Sequence, residues 1–582
     1  MYCRSSEMIS AVSNRLSEYF NVAYDAVIQQ RGATTASFFI PGEPDPFEND
    51  WCYRDADSLS ASAYPILLRE VLEDRSGLAV RKFVSRLRQG VSGGAFNQPP
   101  LSYMHHNVRN DSIVAANDIM GIGKLYYYQA DDFCLVASGV IGAALGMNRL
   151  PIQDDDFWDA YYVTGGGLNN STYVRGVSLA PPGTVITVSE QGVKLRQELE
   201  FSDFLLQPKG LTDSIEPPVN AGQNVVDVVA PYLSDESRLR LSGGVDSRFA
   251  AATLVSLGIP FTATTFVPPD LEAEIAAQLH ERAEGSFDWL AVEANPGTVR
   301  QDGGTPQPPG PSSGSILQRA SSWFRYLGGD HWSTPVRSNV PVRRLTPAPL
   351  MISGSHGDFT RAHYYSLRDI QEGGASSALE RYLTSFVRNR SVLSEELRDH
   401  GAQLVKNELL GSLVKGIDGL YALDYSFYYN RVRRQFPPVA PSVALPMLTP
   451  EMLLRTFWVP PERKIDASAI RRMTLHMVPD WDGVPYFHEI AAELDPKTTN
   501  KVSLQDTYWE TDRNDFLDSM ETAIDSTDYS GLTMQTVLDE IATLPEGRNR
   551  TNQTFEFVFW HDAAKRVLAD IVSLHELHPG SV

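Results

Sequence analysis

Cysteine is all but missing from this chain: three occur in 582 residues, Cys3, Cys52 and Cys134. They lie far apart with no CxxC spacing, which excludes a disulfide framework and a cysteine-rich zinc site and suits a reducing compartment. Positive charge is also short, with 50 Lys and Arg against 72 Asp and Glu and a net charge of −22. That balance argues against a nucleic-acid partner or an anionic-membrane surface, because both require a basic footprint. A local basic groove is the alternative at clusters such as Arg431, Arg433 and Arg434, but these read as a solvated helix face. Long apolar runs are absent: the longest, near 133–145, is broken by Ser138 and several glycines and is too short to span a bilayer. Residues 1–20 mix charges with apolar side chains and lack a secretory core. A cytoplasmic protein without membrane insertion is expected.

With 42% hydrophobic and 21% charged residues, the chain has the balance of a globular protein. Its length calls for two large cores, or three, rather than one. The first two hundred residues read as short strands, since 36–40, 124–128, 133–137 and 184–188 are β-branched or aromatic and bounded by Gly, Pro or Asp. Between Gln207 and Asn220 the pattern loosens, which marks a boundary near residue 210. Beyond it strands and helices alternate, the signature of an α/β layer fold. From about Leu367 to Leu574 apolar residues recur mostly at helical spacing. Residues 301–315, dense in Gly, Pro and Ser, read as an inserted loop.

The chemistry concentrates at Ser242-Gly-Gly-Val-Asp-Ser247. Residues 238–241, ending on Leu241, read as a strand. Residues 248–257 read as a helix closed by Gly258, a natural C′ residue, and 260–266, ending on Phe266, as a second strand. In that setting Gly243 and Gly244 let the backbone approach an anion, and Ser242 and Ser247 add hydroxyl donors. The helix N-terminus contributes unpaired N–H groups and the positive end of its dipole. Asp246 suits the magnesium that accompanies ATP rather than a phosphate. This is not a Walker A loop: no GxxxxGK[ST] occurs, and Gly121-Ile-Gly-Lys124 lacks the upstream glycine and the following Ser or Thr. A second loop, Ser353-Gly-Ser-His-Gly-Asp358, follows the buried-strand run 349–352, with Asp358 placed to complete a magnesium site. Two such loops on one parallel sheet would lie at its carboxyl edge, where α/β proteins bind ligands.

Both loops resemble those of the asparagine synthetase family of N-type ATP pyrophosphatases. The first matches SGGxDS in full, with Arg248 where the family often has another serine. The second, Ser353-Gly-Ser-His-Gly-Asp-Phe-Thr-Arg-Ala-His-Tyr364, resembles SGEGSDExxGGY. Asp118-Ile-Met-Gly121 with Leu125-Tyr-Tyr127 resembles the family's D-x-x-G turn and LYY strand. Val174-Arg-Gly-Val177 with Pro182-Gly183, and residues 440–449, resemble further segments, so the likeness spans most of the chain. It implies an N-terminal Ntn-hydrolase-like αββα sandwich over 1–210. Over 211–582 it implies an adenine-nucleotide α-hydrolase-like (PP-loop) synthetase domain with a parallel sheet and a helical C-terminal part. The implied cofactors are ATP and Mg2+. Leu241, Ser242, Gly243, Gly244, Asp246, Ser247, Phe266 and Gly354 would bind the nucleotide, and Asp246 and Asp358 the metal.

The departures from the family pattern shape the expected activity. A working glutaminase half needs an N-terminal cysteine whose own amine serves as base. Here Met1-Tyr-Cys-Arg4 would leave Tyr2 first after methionine removal, so that half is expected to be inactive and the nucleophile to be an amine of the substrate. The combination is similar to β-lactam synthetases, carbapenam synthetase and lasso-peptide macrolactam synthetases (lasso cyclases). Where asparagine synthetases carry Glu and β-lactam synthetases Tyr, this chain has Ser355 followed by His356. With the inserted loop, this leans towards a peptide substrate. The resemblance implies a ligase that adenylates an Asp or Glu side chain of a core peptide and closes it onto the peptide's N-terminal amine, releasing AMP and pyrophosphate. A leader peptidase and a leader-recognition protein are the implied partners. A β-lactam- or asparagine-synthetase-like enzyme making a small-molecule amide is the alternative, and a non-catalytic nucleotide-binding scaffold the lesser one.

Ser355, His356 and Lys501 are further catalytic candidates. The family's R-x-K lysine has no counterpart in 478–485, and Lys497 and Lys501 are the nearest lysines, with an ordinary surface role as the alternative for each. Elsewhere, Gly310-Pro-Ser-Ser-Gly314 lacks the preceding strand that a nucleophile elbow requires. His105-His106 reads as structural, and His575-Glu-Leu-His578 as a solvated helix end despite its metal-like spacing.

Overall fold

The computed structural model describes residues 6–21, 27–29, 36–38, 52–54, 58–62, 102–107, 111–130, 133–197, 200–206, 215–233, 238–267, 270–293, 314–331, 350–355, 357–384, 393–435, 443–491, 513–527, 533–543 and 553–580. Cys3, His356, Lys497, Lys501 and the inserted loop at 301–313 lie outside these residues.

Helix α1 (Ser6–Phe20) precedes a series of antiparallel strands. β1 (Val27–Gln29) and β2 (Ala36–Phe38) pair with each other. Next come β3 (Cys52–Arg54), β4 (Ser58–Ser62), β5 (Ser102–Asn107), β6 (Ser112–Asn117), β7 (Tyr126–Ala130) and β8 (Phe133–Ala137). They are followed by β9 (Ser178–Leu179), β10 (Thr184–Ser189) and β11 (Gly192–Gln197). One sheet has the order β11-β10-β6-β5-β4-β3 and a smaller one β8-β7-β9. Ile113, Ala115, Ile186 and Val188 of the larger sheet share an apolar cluster with Leu125, Cys134, Val136 and Ala180 around the smaller one. The alternation along β10, buried at Thr184, Ile186 and Val188, is what a half-buried strand requires. After β6 the Asp118 carboxylate accepts from the N–H groups of Met120 (2.9 Å), Ile122 (3.2 Å) and Gly123 (2.7 Å). The D-x-x-G turn thereby satisfies three buried donors.

The second half begins with α2 (Glu216–Val229), β12 (Arg238–Arg240), α3 (Val245–Ser256), β13 (Thr262–Val267), α4 (Asp270–Arg282) and β14 (Asp288–Glu293). With β15 (Met351–Ile352) and β16 (Val443–Ala444), these strands form a sheet of order β14-β13-β12-β15-β16 in which every pair is parallel. Val245, Phe249, Ala250, Ala251, Ala252 and Leu254 of α3 are all buried, as befits a helix covering a parallel sheet. Much of the remainder is helical, including α5 (Glu395–Val414), α6 (Ser468–Met477) and α7 (Gln553–Leu577). The expected mixed α/β architecture, with a parallel sheet and a helical C-terminal part, is present. Bounds shift by a few residues. The helix expected from Arg248 starts at Val245, because Gly244 is its N-cap.

Burial corrects two expectations. Arg433 and Arg434 are not on a solvated face but fully buried, just after a π-helical segment, Phe427–Val432. Arg433 donates to the Ala180 carbonyl (2.9 Å) and lies over the Tyr429 ring. Arg434 pairs with buried Asp330 and donates to the carbonyls of Asn169 (3.0 Å) and Ser171 (2.9 Å). Lys124 donates to the Asp330 carbonyl (2.6 Å) and Tyr126 to its carboxylate (2.7 Å). Burial pushes the Lys124 amine down to about 8 against the pull of Asp330. This network ties the amino-terminal strands to the carboxyl-terminal helices. His575 is likewise buried rather than solvated, its Nε2 3.0 Å from the Ala144 carbonyl and 3.3 Å from Arg15 of α1. Among the described residues no helix is long and apolar enough to cross a membrane.

Glu408, inside α5, accepts from Asn430 Nδ2 (3.0 Å) while its Oε2 is buried without a partner. Burial pushes its carboxyl up to about 7, against the hydrogen bonds of Ser426 and Asn430. The folded protein thus holds this proton more tightly than the unfolded chain. The resulting stability is full below about pH 4.5 and is lost as pH rises through about 7. Glu408→Gln should therefore melt above the wild type at pH 8.5 and close to it at pH 5. Thermal melts of both proteins across that range check this, and a gap independent of pH would contradict it.

Candidate functional site

The site starts from strand order. β12 and β15 are neighbours, paired in register at Arg238–Met351 and Leu239–Ile352, so their following loops leave the same sheet edge side by side. The approach is closest at Gly354. A Cβ there would lie 2.3 Å from the Asp246 carbonyl oxygen and 2.6 Å from the Ser247 nitrogen. Both are backbone atoms, so only glycine fits without displacing the chain. At Gly357 a Cβ would come within 2.6 Å of Met447 Sδ and 2.8 Å of Asp246 Oδ1.

The first loop is held by its own hydroxyls. Ser247 Oγ accepts from Ser242 N–H (3.0 Å) and lies 2.9 Å from Ser242 Oγ, which in turn accepts from Gly244 N–H (3.3 Å). Gly244 caps α3 and offers no side chain to accept from the first-turn N–H groups. Leu241 is fully buried, its N–H on the Thr264 carbonyl (3.0 Å), and Phe266 is the penultimate residue of the neighbouring strand, with its ring centroid 5.1 Å from Arg240 Cζ. Both therefore stand at the same sheet edge as the loop.

Sequence reasoning missed the segment that covers this loop. Phe487 N–H donates to the Gly243 carbonyl (2.9 Å), and a Cβ at Gly243 would meet Phe487 Cβ at 2.8 Å. Arg248 holds the segment there by donating to the carbonyls of Val484 (2.8 Å) and Pro485 (2.7 Å), its Cζ 3.8 Å from the Tyr486 ring centroid. The only signal was Arg248 itself, a large cation where the resembling family has a small hydroxyl.

The two carboxylates meet as well. Arg361 Nη2 donates to Asp246 Oδ2 (2.8 Å) and to Asp358 Oδ1 (2.5 Å). Asp246 Oδ1 is buried without a hydrogen-bond partner. Although 23% of its side chain is exposed, burial pushes the Asp246 carboxyl up to about 6, opposed by Arg361 and reinforced by Asp358. Two carboxylates that already share one cation, with an unpartnered oxygen on Asp246, fit Mg2+ by donor chemistry. Ser355 is exposed, its Oγ 2.7 Å from Ser353 Oγ. Lys464 lies beneath the second loop, its carbonyl accepting from Ala362 N–H (3.5 Å), but its buried amine is paired with Asp424 (2.5 Å). Arg361 also escaped the sequence reading, its only signal being the i,i+3 spacing from Asp358.

No protein-family model matches the chain, and no curated protein matches it.

Gly354→Ala should lower the melting temperature, since the added carbon must push two backbones apart, at a cost of about 1–3 kcal/mol. Thermal melts of both proteins check this, and a melting temperature equal to the wild type's would contradict it.

Proposed function

We propose that this chain is an AMP-forming ligase of the asparagine synthetase type. Its glutaminase-like, Ntn-type domain would span 1–210 and its PP-loop synthetase domain 211–582. The observation that carries this reading is the meeting of Asp246 and Asp358 around one cation, beside a diglycine turn that opens α3.

A carboxylate is a poor electrophile, because attack on it would have to expel oxide. Its oxygen instead attacks the α-phosphorus of ATP, the bond from that phosphorus to the bridging oxygen breaks, and pyrophosphate leaves with the electron pair. An amine then attacks the acyl carbon, loses a proton and expels AMP. Gly244 admits the phosphates while Gly243 makes room for Phe487, and the first-turn N–H groups of α3 with Ser242 and Ser247 hold the phosphates. Mg2+ bound by Asp246 and Asp358 would neutralise charge on the phosphates. Arg248 keeps the 484–487 segment over the loop.

The acyl group is proposed to be an Asp or Glu side chain of a core peptide, and the amine that peptide's N-terminus, so that the product is a macrolactam. Ser355, small and exposed, leaves space above the second loop where small-substrate relatives carry Glu or Tyr. A free α-amine has a pKa of about 8, so much of it must shed a proton before attack. Holding the peptide prefolded supplies proximity. A leader peptidase and a leader-recognition protein would complete the pathway.

The test is exchange of labelled pyrophosphate into ATP with Mg2+, with and without the core peptide. Peptide-dependent exchange is expected, reduced by about 10²-fold or more in Asp246→Asn. Exchange with a small amino acid alone moves the substrate to a small-molecule amide. No exchange under any condition, with nucleotide binding unaffected by Asp246→Asn, overturns the enzyme and leaves a nucleotide-binding scaffold at most.

A further inference from the structure

One guanidinium nitrogen serves both carboxylates, Asp246 at 2.8 Å and Asp358 at 2.5 Å. Guanidinium–carboxylate pairs are strongest as two parallel N–H···O bonds, and neither carboxylate receives that pair here. Asp246 Oδ1 is buried without a hydrogen-bond partner. The charges do not balance either, with one positive group against two negative ones. A divalent cation with oxygen ligands would correct both deficits.

Arg361 is built to leave. It follows the short 3-10 turn Gly357–Thr360, its N–H on the Asp358 carbonyl (3.2 Å), so its root is fixed beside the site. Its side chain is 35% exposed, which gives the head room to turn. Its charge reaches the 484–491 segment too, where it helps hold the His488 imidazole below its ordinary pKa, after burial and Arg471. That segment covers the diglycine turn through Phe487, so the guanidinium stands beside the phosphate-binding loop.

We propose that Arg361 holds the place of the divalent cation in the nucleotide-free protein. When metal–ATP binds, it moves from Asp246 and Asp358 to the β- and γ-phosphates and stabilises the pyrophosphate as it departs. This rests on the AMP-forming reading above. Arg361 makes and breaks no covalent bond; the electron pair of the broken phosphorus–oxygen bond ends on the pyrophosphate beside its guanidinium. The exchange of partners makes metal binding conditional on nucleotide. A metal ion alone must displace Arg361 with no anion to receive it, whereas metal–ATP brings that anion, and the coupling is reciprocal.

The experiment uses full-length protein and Mn2+ as the probe, with free Mn2+ read by electron paramagnetic resonance in the absence of nucleotide. Arg361→Met should bind Mn2+ at least ~10-fold more tightly than the wild type, because the carboxylate pair loses its competing cation. Adding Asp246→Asn to Arg361→Met should abolish that gain. In pyrophosphate exchange Arg361→Met should lose about 10² in kcat with little change in the KM for ATP, and Arg361→Lys should recover part of the loss. Arg361→Gln replaces the Met variant if the latter does not fold. Unchanged Mn2+ affinity, a gain that survives Asp246→Asn, or an undiminished exchange rate each overturns the proposal. If the wild type shows no exchange while the Mn2+ gain appears, the AMP-forming reading fails and the place-holding role of Arg361 stands.

Discussion

The site depends on one close approach between backbones, Gly354 against Asp246 and Ser247. No side chain stands between the two loops there, so their carboxylates can share a single cation. The approach requires β12 and β15 to be adjacent and parallel. It also requires α3 to start immediately after the diglycine turn, so that Asp246 lies in its first turn. The buried alanines of α3 set it close to the sheet and keep that start fixed.

The surroundings hold the arrangement in place by burying charge beside opposite charge and carbonyl oxygens. Arg434, Asp330, Lys124 and Tyr126 form one such network between the halves. Lys464, Asp424 and Tyr365 form another beneath the second loop, with the Tyr365 hydroxyl donating to Asp424 (3.0 Å). Buried ion pairs of this kind add little net stability compared with apolar packing, but breaking one partner is costly. They therefore specify one arrangement of the helices around the sheet. Arg248 does similar work at the loop itself, where a guanidinium bonded to two carbonyls fixes the covering segment.

What was legible in the sequence is what local geometry selects. Ser242 to Ser247 could be read because a tight strand-to-helix turn needs glycines and its helix start favours hydroxyls and a carboxylate. Asp358 could be read for the same reason, as a carboxylate in a glycine-rich turn after an apolar strand. Arg361 could not, because its part depends on β12 lying next to β15, a pairing between residues more than a hundred positions apart. The burial of Arg433 and Arg434 was misread because arginine is mostly exposed. Their partners, Asp330 and the carbonyls of Asn169, Ser171 and Ala180, are distant in the chain. The 484–487 segment carries no motif at all; it is recruited by Arg248 through its carbonyls, which any sequence possesses.

The central claim is that a substrate carboxylate is activated by transfer of AMP, and isotope transfer tests it most directly. The substrate carboxylate is labelled with 18O, the reaction is run with ATP and Mg2+, and the nucleotide and phosphate products are analysed by mass spectrometry. One 18O atom should appear in AMP, with unlabelled pyrophosphate beside it, because the carboxylate oxygen that attacks the α-phosphorus leaves with AMP. Label in inorganic phosphate together with ADP would contradict the account, as would amide formation with no label in AMP.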